Sequence, residues 1–320
     1  MEIKINGQIF EAKEGETILA VCRRNKIDVP TLCFHDEFLA SPALCRICLV
    51  EVKFSDGKTK TLPACSSFIS AGTEIFTVSE KLNRLRPILA DLNYGIRRKA
   101  KKNLNSNPFW GLDYSKCVLC RRCVSACNEI TVNGALNVSG SGASEKIDTV
   151  DACDPALADC EFCGNCEAVC PTGAIFLKKS KKSLQLRSGT GERKIAAICP
   201  YCGCGCGLYL ETDGGKIVGV SPNPAAPFNG FRLCAKGRFG IDFVNHKDRL
   251  KYPLIAVKKN GKKTGKFKKI SWNEALDIIT SKMSEVREKY GADTLAGISS
   301  SKCTNEENYL FQKIFRLFGT

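Results

Sequence analysis

Cys117-Val-Leu-Cys120-Arg-Arg-Cys123-Val-Ser-Ala-Cys127 and Cys160-Glu-Phe-Cys163-Gly-Asn-Cys166-Glu-Ala-Val-Cys170-Pro171 are one pattern written twice, with two, two and three residues between successive cysteines. This spacing encloses four-iron clusters: soft thiolates donate charge to ferric iron, and short gaps bring several sulfurs around one inorganic core. In the doubled arrangement the fourth cysteine of each run ligates the other cluster. Cys117, Cys120, Cys123 and Cys170 are therefore expected on one [4Fe-4S] centre, with Cys160, Cys163, Cys166 and Cys127 on a second. Asn128 stands where the second run has Pro171, a small departure. Structural zinc is the competing use of grouped cysteines, and the doubled spacing argues against it.

Toward the N-terminus, Cys33, Cys45, Cys48 and Cys65 offer four thiolates from two loops, which suits a [2Fe-2S] rhomb. His35 invites a histidine-ligated variant, but Cys45 and Cys48 have no histidine between them, so His35 reads as a loop residue. Around these cysteines, Ile3 to Phe10 alternates about Asn6-Gly7 as a β-hairpin, and Thr17 caps a short helix beginning at Leu19. Leu49 to Phe54 and Glu74 to Val78 read as strands, with a turn at Ser55-Asp-Gly57. Residues 1–78 are thus expected to form a small α+β domain. Residues 79–112 read as a helical connector, with Leu82, Leu85, Ile88, Leu89 and Leu92 at helical spacing before the basic run Arg97 to Lys102.

Residues 113–178 hold the two cysteine runs, separated by the Gly/Ser stretch Ser139 to Ala143, as in a duplicated module. A polar linker over 179–193 leads to a unit over 194–250 with a fourth cysteine set: Cys199, Cys202, Cys206 and, after a long gap, Cys234. Gly203, Gly205 and Gly207 fit a backbone wrapped closely round an inorganic core. Lys236 reads equally as a surface lysine or as a group acting beside the cluster. In residues 251–320, Ser271 and Glu274 form a capping box for a helix to about Tyr290, then strand-like Thr294 to Ile298 precedes a helix from about Asn305. Cys22 sits in the apolar register of the first helix, Cys204 lies between ligands as a spectator thiol, and Cys153 and Cys303 have no assigned role.

Twenty cysteines in 320 residues would suit a secreted disulfide scaffold, but the opening residues carry no apolar signal core. Arg23-Arg24 lies inside a helix rather than in a leader, and no apolar run is long enough to span a bilayer. The expectation is a cytoplasmic chain whose thiols stay reduced and free for metal. The formal charge of +15 falls to roughly +7 if four clusters each carry about −2 with their ligands. The lysine runs at 178–182 and 258–269 then read as solvated faces or a site for an acidic partner, rather than for nucleic acid.

The order of parts resembles the N-terminal half of the catalytic subunit of cytoplasmic molybdenum or tungsten formate dehydrogenases, within the molybdopterin oxidoreductase family. Residues 1–176 are also similar to the large iron–sulfur subunit of respiratory complex I. The third unit carries the pterin-enzyme resemblance: Cys199-Pro-Tyr-Cys-Gly-Cys-Gly-Cys-Gly-Leu208, Cys234-Ala-Lys-Gly-Arg-Phe239 and Ile270-Ser-Trp-Asn-Glu-Ala-Leu276. The stretch Ser299 to Gln312 looks specifically like formate dehydrogenase.

The resemblance implies a β-grasp [2Fe-2S] domain, a bacterial-type ferredoxin domain with two [4Fe-4S] clusters, and the start of a molybdopterin oxidoreductase α/β fold. It implies one [2Fe-2S] and three [4Fe-4S] clusters, with molybdopterin guanine dinucleotide and its metal held by the complete enzyme. It also places Lys236 between the third unit's cluster and a pterin. Implied partners are a flavin- and NAD(P)H-reactive iron–sulfur subunit, a ferredoxin, hydrogenase subunits, or a separate chain carrying the catalytic half. Many relatives hold an extra cluster through one histidine and three cysteines, but residues 79–116 contain neither, so that cluster is expected to be missing. The resemblance also implies that the family's catalytic residue is expected beyond Thr320. A stand-alone polyferredoxin and another pterin enzyme, such as a nitrate reductase, are the rival readings.

Overall fold

Asn6 and Gly7 both take positive φ (51° and 83°), so the chain reverses in two residues and β1 (Glu2–Ile5) pairs with β2 (Gln8–Glu11). That is the two-residue turn whose twist suits a hairpin. The computed structural model describes all residues except 39–40, 42, 96–103, 151–158 and 179–192, and falls into two compact units, residues 1–180 and 181–320. Cys153, the basic run from Arg97 to Lys102 and nearly all of the polar linker lie outside the described residues.

In the first unit, Thr17 Oγ1 accepts from the Ala20 N–H at 3.2 Å and caps α1 (Ile18–Arg24). Strand β3 (Leu49–Lys53) turns back as β4 (Thr59–Pro63), and β5 (Glu74–Phe76) inserts between β1 and β3. The sheet order is β2-β1-β5-β3-β4, with β5 parallel to β1 and antiparallel to β3. Ile3, Ile5, Val50, Val52 and Ile75 alternate along these strands and share one core with Ile18, Leu19 and Val21 of α1. Burying each such side chain contributes about 1.5–3 kcal/mol. Cys22, fully buried in this core, is the small hydrophobe its register suggests.

The connector forms helix α2 (Glu80–Gly95), but its apolar stripe is not a core face. Leu82 is fully buried, whereas Ile88 and Leu92 are 55% and 47% exposed. The helix is held by polar contacts instead: Arg86 donates to the carbonyls of Leu49 and Thr77, and Asn93 to that of Cys45.

The duplicated runs share one small core. Strand β6 (Trp110–Leu112) precedes the first run, whose third cysteine opens helix α3 (Arg122–Ser125) and whose fourth lies in a wide π-type turn over Ala126–Ile130. The Gly/Ser stretch is the loop of a hairpin, β7 (Leu136–Ser139) with β8 (Lys146–Thr149), rather than a spacer between modules. Helix α4 (Asn165–Ala168) carries the third cysteine of the second run, and β9 (Ile175–Leu177) returns to pair with β6. Trp110, Leu112, Tyr114, Leu136, Ile147 and Ile175 share one core with the two strand pairs, β6–β9 and β7–β8.

The second unit opens with an antiparallel meander, β10 (Arg193–Ile198), β11 (Gly207–Asp213) and β12 (Lys216–Pro222), turning at Gly214 and Gly215. Helix α5 (Ala235–Phe239) begins one residue after Cys234. A lysine-rich hairpin, β13 (Leu254–Lys259) with β14 (Lys262–Lys269), is followed by α6 (Trp272–Tyr290), capped by Ser271 Oγ accepting from the Glu274 N–H at 3.1 Å. The reciprocal capping box forms at Thr304 and Glu307, at the start of α7 (Asn305–Phe318), a signal the sequence reading passed over.

Thr294 to Ile298 is not a strand. Ala292–Thr294 make a 3₁₀ turn, and Leu295 to Ile298 pair with no described strand, leaving Ile298 96% exposed. Alternating apolar residues become a strand only where a neighbour takes their backbone hydrogen bonds. Among the described residues no helix is long and apolar enough to cross a membrane.

Candidate metal centres

The hairpin β3–β4 builds half of the first centre. Its register, Leu49 opposite Pro63, brings Cys48 and Cys65 together at the open end, where their sulfurs are 3.2 Å apart. Cys33, Cys45, Cys48 and Cys65 are each at most 3% exposed, and Cys33 and Cys45 also form a hydrogen-bonded pair. The Cys33 thiol, aided by the N–H groups of Ile47, Cys33 and Leu32, overcomes burial and draws Cys45 down to about 5. The Cys48 thiol, with help from the Ser41 and Ser66 hydroxyls, brings Cys65 to about 6. Their donors, Cys33 and Cys48, are pushed up, chiefly by giving those same hydrogen bonds. Within each pair the accepting sulfur is the one favoured toward thiolate, the form that binds metal.

In the paired module the two runs repeat in backbone as well as in sequence. Leu119 and Arg121 flank Cys120 with φ of 49° and 61°; Phe162 and Gly164 flank Cys163 with 55° and 76°. Three of these four are not glycine, and left-handed backbone is costly for them. Such turns aim successive N–H groups inward and form the concave nests found at iron–sulfur sites. Near Cys45, Arg46 directly after it and Ala43 two residues before it also take positive φ, 57° and 48°.

Cys117, Cys120, Cys123 and Cys170 line one small cavity, closed by Val118, Ile147 and Ile175 among others. The cavity joins three cysteines of one run to the last of the other. Burial pushes Cys120 up to about 11, against the Arg122 N–H, and pushes the deeper Cys123 well above the ordinary thiol value. On the other side, Cys127 is raised by burial and then feels Cys163 and Cys160. Asn107 Nδ2 reaches Cys160 Sγ at 3.8 Å, and Thr131 Oγ1 reaches Cys163 Sγ at 3.8 Å. The two sets meet at Cys123 and Cys166, in one core. The first domain joins them through a separate buried cluster of Leu32, Cys33, Cys45, Val118 and Cys120.

In the second unit, the Cys199 N–H donates to the Cys206 carbonyl at 2.8 Å and closes the cysteine loop. Asn229 staples it, accepting from the Gly207 N–H at 2.8 Å and donating to the Gly207 carbonyl at 3.0 Å. Each of these glycines also answers to the chain itself. A Cβ on Gly203 would lie 2.8 Å from the Ser301 carbonyl oxygen, one on Gly207 would lie 2.7 Å from Ala226 Cβ, and Gly205 has φ of +62°. Burial raises Cys206, and the thiols of Cys199, Cys204, Cys202 and Cys234 raise it further. The loop therefore gathers Cys204 with the four predicted cysteines. Cys202 is lowered by the N–H and thiol of Cys204, then by Lys236 and Lys302. Lys236 itself is exposed.

Among the described residues no three His, Cys, Asp or Glu side chains converge closely enough to hold a single ion. The thiols pair off or surround space, and the donor set, all soft sulfur, fits iron–sulfur clusters. Sequence reading missed the supports: Asn107, Asn229, Arg86, Asn93 and Gly237, whose added Cβ would lie 3.3 Å from Cys199 Sγ. Asn107 and Asn229 carried a local signal, as the Asn of an Asn-Pro and an Asn-Gly turn.

Four families match in chain order. They are the 2Fe-2S iron-sulfur cluster binding domain (residues 1–80), the NADH-quinone oxidoreductase subunit 3 ferredoxin-like domain (107–176), the molybdopterin oxidoreductase Fe4S4 domain (192–246) and molybdopterin oxidoreductase (249–320). Over 99% of this chain, an oxidoreductase of Bacillus subtilis provisionally named YjgC is 31% identical and the NADPH-Fe(3+) oxidoreductase subunit alpha of Geobacter sulfurreducens is 30% identical. A Staphylococcus aureus protein provisionally named a formate dehydrogenase is 26% identical over the same share. The chain spans 38%, 39% and 38% of these relatives. The solved NAD+-reducing [NiFe]-hydrogenase in its H2-reduced state matches 55% of this chain and 87% of its own, with a TM-score of 0.49 and 20% identity. The chain carries 2Fe-2S and 4Fe-4S binding domains in a mixed α+β fold, and it belongs to the molybdopterin oxidoreductases as an N-terminal iron–sulfur region of the formate dehydrogenase and YjgC-like kind, with an Nqo3-like ferredoxin domain.

Proposed function

We propose that this chain is the electron-transfer portion of a cytoplasmic formate dehydrogenase. One [2Fe-2S] centre sits on Cys33, Cys45, Cys48 and Cys65. Three [4Fe-4S] centres sit on Cys117/120/123/170, Cys127/160/163/166 and Cys199/202/206/234. The observation that carries this reading is the cavity walled by Cys117, Cys120, Cys123 and Cys170, because no use of one run alone accounts for it. Bound there, the clusters supply one-electron steps between a pterin-held molybdenum or tungsten, where formate and carbon dioxide interconvert, and a partner protein.

The chain's own residues place and tune the centres. Leu32 and Val118 hold Cys33 and Cys45 against Cys120, so packed side chains alone separate the first centre from the nearer four-iron centre. Lys236 supplies positive charge near Cys202, and by the resemblance it would stand between this cluster and the pterin of the complete enzyme. The corresponding domains are a β-grasp domain over 1–78, a connector over 79–112, the paired module over 113–178, the third cluster domain over 194–250 and the start of the pterin-binding α/β fold over 251–320. Partners are a flavin- and NAD(P)H-reactive subunit, a ferredoxin or hydrogenase subunits, and a chain or segment bearing the catalytic half.

A second reading comes from the Geobacter relative, whose name couples NADPH to ferric iron. In that case the same relay serves NADPH rather than formate. Anaerobic reconstitution with iron and sulfide counting tests the shared part: about 14 irons per chain, two in a [2Fe-2S] and twelve in [4Fe-4S] paramagnetic signals. Zinc with little iron would overturn it. Reduction of the clusters by formate or by NADPH, in the assembly purified with its partners, separates the two readings. Clusters without any copurifying pterin or second subunit would instead identify a polyferredoxin.

A further inference from the structure

Helix α2 grips the loops of the first centre with two polar side chains. Arg86 Nη2 donates to the Leu49 carbonyl at 2.7 Å and the Thr77 carbonyl at 2.9 Å, and Leu49 is the residue after Cys48. Two turns on, Asn93 Nδ2 donates to the Cys45 carbonyl at 3.0 Å. The guanidinium is incompletely satisfied: its Nε is buried with no hydrogen-bond partner. No carboxylate among the described residues forms an ion pair with it. Burial lowers its pKa, opposed first by Cys48 and then by Asp28, neither of which pairs with it directly. A half-buried cation without a counter-ion is costly, and a site retains one where an anion comes to it.

We propose that Arg86 sets the reduction potential of the [2Fe-2S] centre by holding an un-neutralised positive charge behind Cys48, which rests on the centre read at Cys33, Cys45, Cys48 and Cys65. Such a centre carries about −2 when oxidised and about −3 when reduced, so a fixed cation beside one ligand favours the reduced state. The charge therefore raises the potential and makes the first centre a better acceptor for electrons arriving through Val118 and Cys120. Arg86 touches neither iron nor substrate; it acts through Cys48. The bland alternative is a staple, in which the two carbonyl hydrogen bonds fix the helix and the charge is incidental.

The test is a redox titration of the reconstituted full chain, following the [2Fe-2S] paramagnetic signal in wild type, Arg86→Met and Arg86→Lys. Arg86→Met is expected to shift the reduction equilibrium about tenfold toward the oxidised state, a fall of about 59 mV for one electron. Arg86→Lys should keep most of the wild-type value, and the four-iron midpoints should stay put. An unshifted Arg86→Met midpoint with an intact signal overturns the proposal, as does an equal shift in both variants. If Arg86→Met fails to hold the centre, Arg86→Lys decides: a wild-type midpoint supports the role of charge, and loss of the centre there too assigns Arg86 to the staple. A wild-type chain with no [2Fe-2S] signal would remove the centre itself, a different failure.

Discussion

Cys48 and Cys65, seventeen positions apart, stand with their sulfurs 3.2 Å from each other because the hairpin between them closes in register at Leu49 and Pro63. The sixteen residues between them hold one hairpin. The Ala64 N–H, donating to the Cys48 carbonyl at 3.0 Å, extends the ladder up to the cysteine pair.

Cys65→Ser should therefore delete one centre cleanly. We expect a loss of about two of about 14 irons and of the [2Fe-2S] signal, with the four-iron signals kept. Cys22→Ala is the matched control: its thiol is fully buried in the same domain and pushed up to about 11 by that burial. It should leave the iron count unchanged and cost about 1 kcal/mol in denaturant unfolding.

The crossed assignment makes an asymmetric prediction. Cys170→Ser should remove the centre shared with Cys117, Cys120 and Cys123, whereas Cys127→Ser should remove the one shared with Cys160, Cys163 and Cys166. Only the former lies in the cluster that touches Cys33 and Cys45. Spin–spin broadening of the [2Fe-2S] signal by a reduced neighbour should thus vanish in Cys170→Ser and survive in Cys127→Ser. The reverse pattern would refute the crossing.

Gly207→Ala should destabilise the third domain by packing alone. Its Cβ would stand 2.7 Å from Ala226 Cβ, inside a loop pinned on both sides by Asn229. Overpacking of this kind costs about 1–3 kcal/mol, read as a lower denaturant midpoint at constant slope.

Tyr114 should make the paired module sensitive to alkali. Its hydroxyl donates to the Ile147 carbonyl at 2.5 Å, and burial, followed by Asp148, raises its pKa well above the ordinary tyrosine value. A raised folded-state pKa favours the native state fully below the unfolded value of about 10, and that contribution is lost as pH climbs through the folded value. Tyr114→Phe should cost about 1 kcal/mol at pH 7 and flatten the loss of stability above pH 10, measured by denaturation across pH.

The sequence alone determined the kind of chemistry. Cysteine spacing is a local property, set by how far a short loop can carry a thiolate, so it displayed the duplicated runs and offered four candidate donor sets. The Asn6-Gly7 turn, the Thr17 cap and the alternation of β1, β3 and β5 were legible for the same reason: each depends on residues within a few positions. What only the tertiary structure decided is non-local. The α2 stripe did not mark a core, because Arg86 and Asn93 hold the helix by reaching carbonyls that the sequence places far away. Thr294 to Ile298 did not become a strand, because pairing needs a neighbour that alternation cannot supply. Gly203 and Gly207 meet Ser301 and Ala226, neighbours that no local reading of the cysteine loop supplies. The cavity of Cys117, Cys120, Cys123 and Cys170 exists because β6 and β9 bring the ends of the two runs together, a contact that closes only when the whole module packs.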